Sequence, residues 1–292
     1  MNKNLGINKM IKLKTIYTTI ILFMLLFGGC ASLKTVNDFA SSSLNSITKF
    51  EEIDYSFRNN CIGNCQNKKL KDLNISLVDC DCTADVKADS VTMIIYKAIR
   101  GYFEGLTNLS NDELTNYKFD AISQSLSDNN FGTFKVDQKE AEAYSNISSV
   151  LLKAFTNGYR SSKIKEYIRQ ANEPIKILID KLHFILSENL TGKIDNQMDN
   201  ARFTCSDLIK DTLLSAYVKR LAIKEYFTSI EKMQPIKEGI STYSKGLKKI
   251  VEGHQKLYDN LDNLNTDELK NQLIEYGSEI KDILSEFNKI GK

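Results

Sequence analysis

The chain has 292 residues, 42% of them apolar, enough to bury a core in one large domain or two ordinary ones. Two prolines, fourteen glycines and no tryptophan leave too few turn signals for a sandwich or barrel, so long helices are expected. The formal net charge is +2, yet Lys3, Lys9, Lys12 and Lys14 precede Cys30 without any acid, and the remainder carries 35 basic against 37 acidic residues, a balance of −2. Nucleic acid is therefore not the expected partner, because backbone binding needs clustered Lys and Arg.

Residues 1–14 are polar and basic, and Ile16 to Phe27 form an apolar segment. That segment is too short to cross a hydrocarbon core, which takes about 20 residues in a helix. A basic head, a short apolar middle and small residues at the end describe a secretory signal. The box Phe27-Gly28-Gly29-Cys30 resembles that of bacterial lipoproteins, with Phe27 in place of the family's usual Leu and with Gly29 and Cys30 matching. The resemblance covers the first thirty-odd residues. It implies that residues 1–29 are a signal peptide, and that Cys30 becomes the acylated first residue of a mature domain, 30–292, anchored to the cell envelope. Ala31 after Cys30 resembles the outer-membrane sorting pattern of Gram-negative lipoproteins.

From Leu33 to about Asn60 apolar residues recur at helical spacing and predict a first helix. A cysteine-rich loop is expected over 61–82, with Cys61 and Cys65 followed by Cys80 and Cys82. In an exported chain such pairs form disulfides. A bridge between Cys80 and Cys82 would close a strained ring, which leaves 61–80 with 65–82, or 61–82 with 65–80. A four-thiolate zinc site is the alternative, disfavoured by the C-x-C spacing and the compartment. Cys205, in a helical context, reads as a buried small residue, since a reactive thiol needs an accessible, electropositive setting.

A second helix is expected after Asp89 or Ser90, through Ile95, Ile99, Tyr102, Leu106 and Leu109. The segment 106–116 (LTNLSNDELTN) closely matches 261–271 (LDNLNTDELKN). Ser110 with Glu113, and Asn265 with Glu268, have capping-box spacing, so each copy predicts a helix-to-helix turn. Ile164, Ile168, Ala171, Ile175, Leu178, Leu182 and Ile185 form a heptad seam suited to an antiparallel partner. Pro174 should kink it or start a new helix. A break is expected at Thr191-Gly192, then a helix from about Ile194 towards Pro235.

Beyond Pro235 the seam runs Ile236, Ile240, Tyr243, Leu247, Ile250, His254, Leu257, Leu261 and Leu264. It resumes at Leu269, Leu273, Tyr276, Ile280, Ile283, Phe287 and Ile290, which predicts an antiparallel hairpin. Gly239, Gly246 and Gly253 repeat every seven residues beside this seam. Each costs about 1 kcal/mol against alanine in a helix, so their regular placement points to close approach of a neighbouring helix, with retained flexibility as the alternative. The expected fold is all-α, an elongated bundle of long antiparallel helices with coiled-coil-like packing.

For chemistry the chain offers little. His183 and His254 stand in packing positions without Cys, Asp or Glu at metal-ligand spacing, and no phosphate loop, nucleophile elbow or dinucleotide fingerprint occurs. No catalytic residue, cofactor or metal is expected. The reading is a non-enzymatic interaction or scaffold protein, held to the membrane by its lipid and binding a protein partner. The alternatives are a membrane-remodelling or pore-forming helical protein and a helical ligand-binding lipoprotein.

Overall fold

Several of the helices start at short polar side chains that take up free backbone N–H groups. The computed structural model describes residues 30–75, 80–111, 135–156, 163–264 and 266–290. Within them α1 is Cys30–Ile47, followed by a 3-10 turn Thr48–Glu52, α2 is Phe57–Lys71, α3 is Thr83–Ser110 and α4 is Gln138–Thr156. Then α5, Ile164–Phe184, continues through a π-helical turn Ile185–Leu190 into α6, Thr191–Lys210. The last two are α7, Ala216–Asp259, and α8, Asp267–Phe287, joined by a 3-10 turn Leu261–Asn263. The fold is all-α, with no strand among the described residues.

Several boundaries differ from the sequence expectation. The first helix does not reach Asn60: Ile53 is extended, and Ser56 starts α2 by accepting from the Asn59 N–H at 3.1 Å. Asp89 does not begin α3, which starts six residues earlier at Thr83. Its carboxylate instead takes the N–H groups of Phe57 (2.9 Å) and Arg58 (3.0 Å), capping α2 from a neighbouring helix. Negative charge there also meets the positive end of the helix dipole.

Thr191-Gly192 is not a break, because the backbone stays helical and the Thr191 hydroxyl donates to the Leu186 carbonyl at 3.0 Å. The actual break lies at 211–215. There Asp211 accepts from the Leu213 N–H at 2.8 Å, and Ser215 caps α7 by accepting from the Val218 N–H at 3.3 Å. Both prolines sit inside helices. At Pro174 the carbonyl that loses its partner belongs to Gln170, an exposed residue, so the lost donor leaves no buried acceptor.

Of the matched turns, residues 112–134 and 265 lie outside the described residues, so the Ser110–Glu113 and Asn265–Glu268 boxes do too. Ser110 itself closes α3, donating back to the Leu106 carbonyl at 2.8 Å. The cap of α8 is Thr266, which accepts from the Leu269 N–H at 3.5 Å. A reciprocal capping box does occur at α4: Asp137 accepts from the Glu140 N–H, and Glu140 from the Asp137 N–H, both at 2.9 Å. The same Glu140 pairs with the nearly buried Lys181 at 2.8 Å, fastening α4 to α5.

One apolar core joins α1, α3, α4, α5, α7 and α8. All seven seam residues, six on α5 and Ile185 in the π-helical turn, are buried, and α5 packs against α3, α4 and α7 rather than a single partner. The α7–α8 hairpin is antiparallel: Gly253 lies against Tyr276, Gly246 against Ile283 and Gly239 against Phe287. Helix α1 lies in the groove beside it, also antiparallel to α7, with Phe39 against Gly253 and Ser46 against Gly246. A Cβ on Gly246 would come within 2.8 Å of the Ser46 hydroxyl, and one on Gly253 would collide with the Phe39 ring. These two glycines therefore buy the close approach of α1. Gly239 does not, since a Cβ there would meet only Phe287 at 3.7 Å.

Candidate functional site

The first candidate is polar and lies inside the body. His254 of α7 is 2% exposed. Its Nδ1–H donates to the Asn172 Oδ1 of α5 at 3.1 Å, and its Nε2 accepts from the Tyr102 hydroxyl of α3 at 2.6 Å. This tautomer follows from the partners, because an amide oxygen only accepts. Tyr167 stacks on Tyr102 with ring centroids 5.0 Å apart and donates to the Tyr102 carbonyl at 2.9 Å. Burial holds His254 down at about 4 and pushes the Tyr102 hydroxyl well above its ordinary range. Both are neutral at pH 7. The trio resembles a proton relay in composition, yet the protein matrix encloses it. Its work is to fix the register of three helices, since a buried polar chain tolerates few other arrangements.

The second candidate is the cysteine cluster. The bridges are Cys61–Cys82 and Cys65–Cys80, with Cα separations of 5.8 and 6.1 Å. Of the two pairings left open by the sequence, the nested one is present. The first pair of cysteines does not lie in a loop, as expected, but on α2. Four residues of helix rise about 6 Å, and two residues of extended chain span about 6.6 Å. C-x3-C on a helix face therefore matches C-x-C on a returning segment as two rungs. The reversed chain direction pairs first with last.

A polar network holds this staple to the body. The Tyr55 hydroxyl donates to the Gln197 Oε1 at 2.7 Å and accepts from the Asn60 Nδ2 at 2.8 Å. Gln197 Nε2 returns to the Asn60 carbonyl at 3.3 Å, and Lys193 pairs with Asp85 at 3.0 Å. With all four thiols oxidised, the cluster has no thiolate to offer a metal.

Cys205 is free and buried, as expected. His183 is half-buried, and its pKa is lowered by burial and by nearby Lys248. Among the described residues no group of three or more His, Cys, Asp or Glu could hold a metal ion. Cys30 is the first residue of α1, and Leu33 is already partly packed on the core.

The third candidate was not foreseen. Between Ala216 and Glu238 of α7 only Ala222 is buried, whereas eleven residues are buried from Gly239 to Leu257. The first half of α7 and the second half of α6 form a two-helix arm that leaves the body near Pro235. Its tip exposes Leu213 and Tyr217. Because α1 runs antiparallel to α7, the arm extends from the end opposite Cys30, and its tip lies about the length of α7 away, 44 residues or about 66 Å at 1.5 Å per residue. The helical periodicity of the arm resembles that of the body, so spacing alone does not reveal that its apolar stripe lacks a partner.

No family model, curated protein or solved structure matches the chain.

Proposed function

We propose that the chain is a non-enzymatic, lipid-anchored helical interaction or scaffold module of the bacterial cell envelope. The observation that carries this reading is the Phe27-Gly28-Gly29-Cys30 box running directly into α1. With the leader removed and Cys30 acylated, two residues separate the lipid from the first core-packed side chain, Leu33. Several acyl chains, at about 0.8 kcal/mol per buried CH₂, hold such a domain at a bilayer. The anchored end of the body lies close to that surface, and the arm projects away from it. Two disulfides suit an oxidising compartment outside the cytoplasm. No helix of the described residues is long and apolar enough to cross a membrane.

The test is mass spectrometry of the N-terminal peptide from native membranes, with fractionation of a Cys30→Ser variant. A diacylglyceryl mass on Cys30 and release of the variant from the membrane are expected. An intact leader with unmodified Cys30 contradicts the anchor. A specific hydrolase or transferase activity of the purified protein contradicts the scaffold reading. Crosslinking in the envelope then identifies the partner.

A further inference from the structure

The arm ends in a convex tip with an unusual composition. Leu213, in the turn, is 92% exposed, and Tyr217, one helical turn on, is 76% exposed. Leu221 continues the same i,i+4 stripe at 43%. Around it stand Lys210, Lys219, Arg220 and Lys224, none paired with a carboxylate among the described residues. Residues 210–224 contain one acid, Asp211, so fifteen residues carry +3 in a chain whose balance after Cys30 is −2.

We propose that this tip docks on an anionic lipid surface, with Leu213 and Tyr217 entering the headgroup layer. Lys210, Lys219, Arg220 and Lys224 then engage the lipid phosphates. Two observations favour lipid over a protein partner. The apolar residues crown a protruding turn, a shape that enters a fluid interface, whereas protein hot spots are seated in pockets. The basic residues also flank the apolar ones within two turns, the depth at which long Lys and Arg stems reach headgroups. The tip faces away from Cys30, so the surface it meets is a second bilayer, or a separate patch of the first. This deepens the proposed reading by naming a partner for the anchored module. It rests on that reading only for the choice of bilayer.

The test holds the purified full chain on beads through a C-terminal tag and offers fluorescent phosphatidylcholine vesicles, with or without phosphatidylglycerol. Capture by acyl chains or by a retained leader is insensitive to the tip, so variants separate the two claims. Expected is phosphatidylglycerol-dependent capture that falls at least about tenfold in Leu213→Asp/Tyr217→Asp, and comparably in Lys219→Glu/Arg220→Glu or at high salt. Unchanged helicity and melting confirm that the variants fold. Should the first variant misfold, the charge-reversal pair carries the test. Capture unaffected by either variant, or a tip-dependent part of the capture that is equal on neutral vesicles, overturns the proposal. So does a dimer in sedimentation that the tip variants abolish without any vesicle capture, which would assign the tip to a second copy of the chain. Binding of an acidic protein that the variants abolish, again without vesicle capture, also overturns it.

Discussion

The two halves of α7 are one continuous helix of 44 residues, yet they have opposite surroundings. In the half from Gly239 onward, α1 and α8 close over a seam that includes the wholly buried Ile240, Leu247, Ile250 and Leu257. In the half before Pro235, α6 is the principal neighbour, and Tyr217, Leu221 and Phe227 face solvent. Apolar periodicity sets which face of a helix is sticky, and the number of neighbours decides whether that face is covered. A covered stripe stabilises the fold, while an uncovered one stays open to a partner.

The largest expected contrast comes from truncating one leucine in each region. Leu182→Ala, at a fully buried position in α5, should cost about 2–5 kcal/mol in urea unfolding. Leu221→Ala, in the arm, should stay within about 0.5 kcal/mol. Equal costs would mean that the arm is buried in the folded chain.

Acid should act on the body next. His254 has a native pKa of about 4, below its ordinary 6.5, so the unfolded chain binds the extra proton between these values. The contribution is complete above pH 6.5, declines as pH falls towards 4 and stays lost below that. It amounts to roughly 3 kcal/mol at about 1.4 kcal/mol per pH unit. Unfolding measured at pH 7 and 4.5 should show a smaller drop for His254→Gln than for the native chain. An identical drop would place the acid sensitivity elsewhere.

The glycines offer a finer contrast within the body half. Gly253→Ala drives a methyl into Phe39 and should cost about 1–3 kcal/mol in thermal or urea melts. Gly239→Ala meets only an ordinary contact and should gain up to about 1 kcal/mol from helix propensity. Matching losses at both would show that α1 is not the element that needs the space.

The sequence made the body legible through periodicity. The α5 seam, the α7–α8 hairpin and the close approach at Gly246 and Gly253 all follow from spacing that repeats over several turns. Boundaries were less legible, because they depend on groups distant in the chain. Asp89 looked like the start of its own helix and instead caps α2, 31 residues away. Thr191-Gly192 has the composition of a stop, but the Thr191 hydroxyl finds the Leu186 carbonyl and the helix continues.

Of the candidate sites, the two disulfide partners of α2 were narrowed to two pairings, and helix geometry would have selected the nested one. The partners of His254 lie 152 and 82 residues away, with no local pattern to join them. The arm has no signal of its own, because an apolar stripe reads the same whether or not something covers it.

Hydrogen exchange on the full chain, followed by mass spectrometry with and without anionic vesicles, tests this division most directly. Amides of 239–257 should exchange near the global unfolding limit, and those of 211–232 orders of magnitude faster. Vesicles should slow exchange at the tip of the arm and leave the body unchanged. Equal protection along all of α7 in the free protein, or a vesicle effect confined to the body, would contradict the account.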